Sequence, residues 1–290
     1  MIEEFKKYLL NESLSENTYN SYLNDMEKFI IYYTNKYDEE FTTFEHPDII
    51  TYINDLKKEG VNPSTINRRL SALKKYNEFL IEKNLKQKIE IRQKDYIKFQ
   101  GSIITEDLPE PKEISKIKHA IYKESKNPKR DYCAFILLTN GGFRESELIN
   151  IKIADIHLKE RWIDIIGKGN KFRQVIINNE MYDSLQEYLE ERKQMNINNY
   201  FLFVGQKTKN NNKSLNRNFC NRLLDKYKSY CKNCNLHPHL LRSLFCSNTL
   251  HNAGYTIDQV ANQAGHSSLN TTKKYLKFKK EDLLELANRQ

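Results

Sequence analysis

The chain has 290 residues and a formal net charge of +9, with 47 Lys and Arg against 38 Asp and Glu. This length is enough for two ordinary domains, and the excess of positive charge favours a polyanionic partner such as nucleic acid. No stretch approaches the roughly 18 consecutive apolar residues of a membrane helix, so we expect a soluble protein that works in the cytoplasm without membrane contact.

The first region of the chain, residues 1–84, is predicted to be a helical bundle. Ser13 and Glu16 have the spacing of a capping box, and large apolar residues follow at steps of three and four. A second helix is predicted over about residues 48–60, and a third begins at Ser64, which would cap it. The third helix turns its basic residues to one face: Arg68, Arg69, Lys74 and Lys75.

This basic face has two interpretations. Residues 64–98 contain ten Lys and Arg against four Asp and Glu, which is typical of a surface that contacts DNA phosphates. The same bundle could instead be a packing or dimerisation unit with a solvated basic side. Beyond it, residues 85–108 lose the helical periodicity and contain Gly101, and we interpret them as a linker.

The remaining residues, 109–290, are predicted to be mainly helical with a small antiparallel β-sheet. Trp162 to Ile166 and Phe172 to Ile177 are rich in β-formers and are joined by GKGNK, which indicates a hairpin. Around it we predict helices over residues 113–122, 130–139, 179–194 and 214–232, and a short strand at FLFV, residues 201–204. The last helix is rich in Arg and Lys, so Arg217 and Arg222 are candidates for base contacts in the DNA major groove.

Four charged residues in this region are candidates for a functional site. Arg144 and Glu147 have i,i+3 spacing, which indicates either an exposed ion pair or a carboxylate that orients a buried guanidinium. Lys168 lies between the two glycines of the hairpin turn. Lys171, at the end of the same turn, is a candidate for a contact with a backbone phosphate.

A further pair of candidates lies in the motif HPHLLRS. His239 and Arg242 are one turn apart on a helix that Pro238 would open, so both side chains leave the same face. Arginine gives bidentate hydrogen bonds to phosphate and stays charged at any working pH, and histidine can hydrogen-bond the same group. This pair is therefore typical of a phosphate site.

The sequence after this helix supplies a second histidine and a tyrosine. A helix from Thr256 to Ala264 is predicted to end at Gly265, so that His266 follows in the turn. Tyr275 comes nine residues later. Together with the pair in HPHLLRS, these residues would form an anion site that contains a nucleophile.

Four motifs carry a resemblance to a known family. GGFRESELINI, IIGKGNKFRQVII, HPHLLRS and QAGHSSLNTTKKYL occur in the order and spacing of the tyrosine recombinases, also called the phage integrase family. The chain resembles the Xer-type site-specific recombinases most, because it is too short for the extra DNA-binding domain of large phage integrases. The resemblance implies a two-domain, C-shaped DNA clamp, in which a helical core-binding (SAM-like) domain precedes the catalytic domain.

The resemblance also implies which residues act. The family's catalytic positions correspond to Arg144, Lys168, His239, Arg242, His266 and the nucleophile Tyr275, with Glu147 in support. In such enzymes the tyrosine attacks DNA, and the 3′-phosphotyrosyl link keeps the energy of the broken bond for rejoining. The sequence has no carboxylate cluster suited to Mg²⁺ and no GK[ST] phosphate loop, so we expect neither a metal nor a nucleotide cofactor.

Partners and biological role also follow from the resemblance. It implies a specific double-stranded DNA site and a homo-tetramer on two such sites, and an accessory or activating protein is a further candidate partner. The final residues, EDLLELANRQ, are predicted to form an amphipathic helix that either docks on a neighbouring subunit or closes its own core. Resolution of chromosome dimers and integration or excision of a mobile element both remain open as roles.

Three other hypotheses compete with this one. A type IB topoisomerase uses the same residue types to nick and relax DNA, and a DNA-binding regulator could keep the scaffold without the activity. The spacing C-x2-C-x2-H-x-H of residues 231–239 superficially resembles a zinc site, although the pairs are much closer together than in a zinc finger. Because the five cysteines are an odd number without a secretory signal, we expect reduced thiols and no disulfide framework. We expect no zinc site, because the spacing is short and the resemblance needs His239 in the catalytic site.

Overall fold

The computed structural model describes residues 1–12, 14, 16–98, 107–167, 171–195, 197–205 and 211–266. The chain divides into two compact units, residues 1–102 and 103–290. Both are built mainly from helices, and a three-stranded antiparallel sheet lies in the second, which confirms the predicted fold class. Within the described ranges, no helix has the length and apolar character to span a membrane.

The first unit contains four helices whose starts follow from the local sequence. They are α1 (Ile2–Asn11), α2 (Glu16–Tyr37), α3 (His46–Lys58) and α4 (Pro63–Glu82). A proline lies in the first turn of both α3 and α4, where its missing N–H costs no hydrogen bond. Asn62, and not the predicted Ser64, caps α4, because its side chain accepts the Ser64 N–H at 2.9 Å. The predicted cap Ser13 lies outside the described residues.

The core of the first unit is rich in aromatic rings. Phe29 of α2 meets Tyr52 of α3 edge-on with ring centroids 4.9 Å apart, and Phe5 of α1 meets Tyr76 of α4 at the same distance. The apolar residues of α4 are buried, as its periodicity predicts: Ile66, Leu70, Leu73 and Leu80. This core leaves the opposite face of α4 for its basic residues.

Residues 88–97, which fall in the predicted linker, are packed against the first unit. The buried side chain of Asn77 donates to the Lys88 carbonyl at 2.9 Å and accepts the Glu90 N–H at 2.8 Å. Asn67 bonds to both the carbonyl and the N–H of Ile97 in the same way. An amide side chain offers a donor and an acceptor side by side, so it can pair with extended backbone. The segment is therefore part of the first unit.

The second unit arranges its elements around one large apolar core. Its strands are β1 (Ile156–His157), β2 (Trp162–Ile166) and β3 (Phe172–Ile176), paired in that order. Its helices are α5 (Pro111–Glu124), α6 (Pro128–Gly141), α7 (Glu145–Ile149), α8 (Asn179–Gln194), α9 (Asn218–Asp225), α10 (Pro238–His251) and α11 (Ile257–Ala264). The buried helix α6 packs against α5, α8 and α10, and α11 packs on β3. The predicted hairpin of β2 and β3 is confirmed.

The helix predicted over residues 214–232 is shorter in the structure. Asn216 forms a turn in which its side chain accepts the Asn218 N–H at 2.9 Å, and this turn delays the start of α9. After α9 the chain continues into a 3₁₀ turn, Lys228–Tyr230, and the buried Tyr227 packs into the core before it. The predicted helix therefore starts later than expected at the Asn216 turn and is replaced after Asp225 by the 3₁₀ turn.

The strand predicted at FLFV is reduced to one bridge, between Phe201 and Lys152. Arg192 of α8 donates to the carbonyls of Phe201 and Leu202, at 3.1 and 3.3 Å. Arg130 donates to a third carbonyl in this segment, that of Val204, at 3.1 Å. Because guanidinium groups occupy these acceptors, the backbone pairing of this segment is limited to its contact with residues 151–153.

Candidate active site

The motif GGFRESELINI, which contains Arg144, folds into a sharp corner between α6 and α7. Gly142 takes the left-handed conformation with φ of 59°, and a Cβ there would lie 2.3 Å from the Phe245 ring. The corner leaves Arg144 at the start of α7, where its backbone N–H donates to the Glu147 carboxylate at 2.9 Å. The Arg144 guanidinium donates to the same carboxylate at 2.6 Å. This is the orienting contact that the i,i+3 spacing suggested.

Glu147 has a second partner, Arg173, which the sequence analysis did not identify. Arg173 lies on β3 and is 7% exposed. Its two terminal nitrogens donate to the two carboxylate oxygens of Glu147, each at 2.9 Å, and its Nε donates to the Gln263 carbonyl at 3.0 Å. The alternation along FRQVI contained the signal, because it turns Arg173 to the same side as the buried Val175.

Arg242 is buried on α10 and is 2% exposed. Its terminal nitrogens donate to the carbonyls of Gly142 and Ala264. Pro238 opens α10 as predicted, and the preceding His237 side chain accepts the Leu240 N–H at 3.1 Å. One turn before Arg242, the predicted His239 is exposed on the same helix.

The turn at the end of α11 binds both Arg144 and Arg242. Gly265 ends the helix in the left-handed conformation with φ of 67°, as predicted, and His266 follows in the turn. Arg144 donates to the Gly265 carbonyl at 2.7 Å, and Arg242 donates to the preceding carbonyl, that of Ala264. Two arginines from distant parts of the chain therefore meet at consecutive carbonyls, beside His266.

The charges of this site are unequal, with three guanidinium groups around one carboxylate. Burial alone would raise the pKa of Glu147, but hydrogen bonds and charge from Arg173 and Arg144 lower it to about 2. Burial and the charge of Arg144 lower the pKa of Arg242 to about 10, so this group stays protonated at neutral pH. The excess of buried positive charge favours an anionic ligand.

His266 is neutral in this environment. Burial first, and then the charges of Arg242 and Arg144, lower its pKa to about 4. A neutral imidazole can donate one hydrogen bond to a phosphate oxygen, and because it is uncharged it does not repel the neighbouring guanidinium groups.

The base of the β2–β3 hairpin lies next to Glu147 and its arginine partners. The Gly167 N–H donates to the Lys171 carbonyl at 2.8 Å, and a Cβ on Gly167 would lie 3.4 Å from a carboxylate oxygen of Glu147. The predicted phosphate contact Lys171 is exposed. Two predicted catalytic residues, Lys168 and Tyr275, lie outside the described residues, as does the predicted tail helix.

The two predicted base-contact residues lie at α9 and are both exposed. Arg217, just before the helix, pairs with Glu145 at 3.6 Å. Arg222 is in the last turn of α9. Because Glu145 also begins α7, the ion pair connects α9 to the corner that holds Arg144.

The predicted basic face of α4 is partly neutralised. Arg68 pairs with the buried Asp25, and Arg69 donates to the hydroxyl of Tyr52 at 3.2 Å. Lys75 is held between two carboxylates, those of Glu12 at 3.0 Å and Glu78 at 3.1 Å. Lys74 is exposed. Of these four cations, Lys75 is therefore the least suited to contact DNA, and Lys74 is better placed.

The cysteine and histidine pattern before α10 has structural contacts. Cys231 is a buried thiol 4.0 Å from the Glu113 carboxylate, and burial raises its pKa. His237 caps α10. In the part of the chain that the structure describes, no three His, Cys, Asp or Glu side chains are grouped to hold a metal ion.

Comparisons with known proteins assign both units. The model of the phage integrase family matches residues 109–282, and that of the phage integrase N-terminal SAM-like domain matches residues 2–84. The chain is 32% identical to the TnP I resolvase of Bacillus thuringiensis, over 99% of this chain and 97% of that protein. It is 29% identical to the tyrosine recombinase XerA of Pyrococcus horikoshii, over 98% of this chain and 91% of that protein.

Solved structures share the fold at lower sequence identity. A XerH site-specific recombinase bound to palindromic difH substrate has a TM-score of 0.73 and 22% identity, covering 93% of this chain and 78% of that chain. The Tn1549 transposon integrase in complex with transposon right end DNA has a TM-score of 0.72 and 18% identity, covering 99% and 98%. These likenesses support the two-unit fold.

Proposed function

Because this chain belongs to the phage integrase family and is a tyrosine site-specific recombinase, we propose that Tyr275 attacks duplex DNA to form a 3′-phosphotyrosyl intermediate. The observation that carries this proposal is the meeting of Arg144 and Arg242 at the turn that ends in His266. Tyr275 follows this turn by nine residues in the sequence.

The proposed step is a transesterification. The Tyr275 oxygen forms a bond to phosphorus, and the bond between phosphorus and the 5′ oxygen breaks. Since a free tyrosine has a pKa near 10, only about one in a thousand is ionised at pH 7, so a base is needed. The exposed His239 is our candidate for that base, and Lys168 is our candidate for the acid that protonates the leaving 5′ oxygen. The reverse step rejoins the strand and uses no ATP.

The arginines would stabilise the charge that develops on the non-bridging oxygens. Each guanidinium has five N–H donors, and the contacts to carbonyls and to Glu147 use only some of them. The Arg144 side chain is 32% exposed and Arg242 is 2% exposed, so we expect the phosphate to meet Arg144 first. Removing one preorganised donor of this kind typically slows chemistry by about 100- to 1,000-fold.

Covalent trapping tests the proposal. A DNA site is first selected by binding from a randomised duplex pool, then nicked near its centre so that cleavage releases a short strand and traps the enzyme. Wild type should form an SDS-resistant adduct in the presence of EDTA, and Tyr275→Phe should form none. Tyr255→Phe removes a hydroxyl from another exposed tyrosine of this unit and should keep the adduct. An adduct that survives in Tyr275→Phe would exclude this nucleophile.

The selected DNA duplexes also distinguish a recombinase from a type IB topoisomerase and from a DNA-binding regulator, the two alternatives that the comparisons do not favour. A recombinase exchanges strands between two duplexes that carry the site, whereas a topoisomerase relaxes supercoiled DNA without a paired site. A regulator would bind the selected duplex and form no adduct at all.

For the biological role, we propose recombination that resolves joined DNA molecules or moves a mobile element. The resemblance to a resolvase over 99% of the chain supports this choice, and the Xer relatives support the resolution of dimers. The proposal includes a homo-tetramer on two DNA sites, with an accessory protein as a candidate activator. It places the enzyme in the cytoplasm, at the nucleoid or at mobile DNA.

A further inference from the structure

We propose that Arg173 is a positioning residue that sets both the orientation of Arg144 and the place of the turn at residues 263–266. This inference rests on the proposed function, since it concerns the same site. It assigns a role to a side chain that lies within the motif IIGKGNKFRQVII but is not among the catalytic or supporting positions that the resemblance implies. Arg173 would act through its neighbours and would not touch DNA.

Arg173 differs from the other two arginines of the site because its charge is already paired with both oxygens of Glu147, which favours a positioning role over direct phosphate binding. All three of its side-chain nitrogens donate to protein acceptors, two to Glu147 and one to the Gln263 carbonyl. The side chain is 6% exposed. A phosphate that approached Arg173 would have to displace Glu147, which is itself 4% exposed.

The bidentate pair controls how Glu147 binds Arg144. A carboxylate prefers to meet a guanidinium through two parallel hydrogen bonds. Because Arg173 takes this position, the Arg144 guanidinium makes a single hydrogen bond to Glu147, to one carboxylate oxygen at 2.6 Å. Without the two hydrogen bonds from Arg173, the Glu147 carboxylate would be free to rotate and pair with Arg144 through both oxygens. Arg144 would then be neutralised and turned away from a substrate phosphate.

Arg173 also supports the turn from its other side. Gly265 has no side chain, and a Cβ there would lie 2.8 Å from a terminal nitrogen of Arg173 and 3.0 Å from its Cζ. The carbonyls of Ala264 and Gly265 accept hydrogen bonds from Arg242 and Arg144. The turn is therefore held between Arg173 on one side and the two arginines on the other.

The position of Arg173 on β3 connects these contacts to the hairpin. It is the second residue of the strand, opposite Ile165 of β2. The hairpin closes next to it through the Gly167 N–H and the Lys171 carbonyl. Arg173 thus links α7 and the α11 turn through its side chain and lies on a strand of the hairpin, so it connects three elements that hold residues of the proposed chemistry.

The test compares Arg173→Lys with Arg192→Lys. Both replace a buried arginine with a shorter cation, but Arg192, 5% exposed, donates to the carbonyls of Asn199, Phe201 and Leu202 and lies outside the site. Adduct formation is followed in a single turnover, with saturating protein on the selected nicked duplex, and DNA affinity is measured by anisotropy. Arg173→Lys should slow adduct formation by about 100-fold with affinity within 3-fold of wild type. Arg192→Lys should stay within about 3-fold in both.

A double-mutant cycle separates positioning from a general loss of structure. If Arg173 acts through Arg144, the variant Arg144→Ala/Arg173→Lys should be no slower than Arg144→Ala alone. Rates that multiply would overturn the proposal, as would an Arg173→Lys enzyme within 3-fold of wild type. If Arg173→Lys does not fold, Glu147→Gln tests the same link from its other end and should show the same lack of additivity with Arg144→Ala.

A spectroscopic measurement decides the inference without catalysis. In ¹⁵N–¹H spectra of arginine Nε–H groups, the Arg144 signal should broaden or shift in Arg173→Lys and remain unchanged in Arg192→Lys. An unchanged Arg144 signal in Arg173→Lys would refute the positioning role. If wild type forms no adduct, the proposed function fails, while this spectrum still answers the question about Arg173.

Discussion

Single residues in this site have ionisation states that depend on their neighbours. His266 shows this most directly, because burial and two nearby guanidinium groups all disfavour its charged form. Glu147 is affected in the opposite direction, since Arg173 and Arg144 favour its charge and outweigh its burial. Both effects keep the protonation states of His266 and Glu147 constant through the neutral pH range.

The first prediction concerns the pH dependence of stability. The pKa of His266 is about 4 in the folded protein against an ordinary 6.5, so between these values the unfolded chain binds a proton that the folded chain does not. Stability should therefore fall as the pH drops from 6.5 towards 4 and level off below that. Between pH 7 and pH 5, wild type should lose about 1 to 2 kcal/mol more than His266→Gln, as measured by urea unfolding.

The variant isolates this effect from the other ionisable groups. Glu147 has its pKa near 2, so its contribution to stability is lost only as the pH falls below about 4.5. Equal pH dependence in wild type and in His266→Gln would show that the environment of His266 is less cationic than the structure indicates.

At the same scale, the sequence identified some site residues and missed one. Arg144, Arg242 and His266 belong to motifs with fixed spacing, and the structure brings them to a single turn. Arg173 lies inside the motif IIGKGNKFRQVII, but nothing in the sequence assigned it a role, since an arginine in a short strand next to a Lys-rich turn suggests a solvated cation. Its partner Glu147 is distant in sequence, so only the tertiary fold reveals the pair.

At the scale of elements, predictions succeeded where local chemistry fixes an end. The helix α8 and the strand β2 have the predicted bounds, and α11 ends at its glycine as expected. The predictions of a helix over residues 214–232 and of a strand at FLFV were wrong. In the first the Asn216 side chain accepts a backbone N–H, and in the second the Arg192 side chain donates to a backbone carbonyl. Such side chain to backbone bonds leave no periodic signal in a sequence.

Two glycines with the same backbone conformation give a prediction for the α11 turn. Gly265 and Gly254 have φ of 67° and 69°, but a Cβ on Gly254 meets nothing within 4 Å, whereas one on Gly265 meets Arg173. Gly254→Ala should cost only the left-handed strain, about 1 kcal/mol of stability, with adduct formation unchanged. Gly265→Ala should cost more and should slow adduct formation at least about 10-fold, because the carbonyls that hold both arginines move. Equal effects of the two changes would contradict the packing described for Arg173.

For the whole molecule, the net charge of +9 predicts salt-dependent DNA binding, and the structure refines which cations contribute. Lys74→Ala should reduce the slope of log affinity against log salt by about 0.9, the value for one phosphate contact. Lys75→Ala removes a neighbouring lysine that Glu12 and Glu78 already neutralise, so the slope should stay the same. The measurement is a titration of the selected duplex at several salt concentrations. A reversed order of the two slopes would show that the DNA displaces these carboxylates.

The shared carboxylate of Glu147 has a consequence for genetics. Its loss leaves the buried guanidinium of Arg173 without its partner, which typically costs about 3 to 5 kcal/mol, a large part of the stability of an ordinary domain, and it also removes a partner of Arg144. Glu147→Ala should therefore lower the amount of protein in the cell as well as its activity. An allele of this kind should be recessive, because little of its product survives to compete for DNA. An allele with Tyr275→Phe should instead produce a stable protein that occupies recombination sites beside the wild-type enzyme, and it should act as a dominant inhibitor.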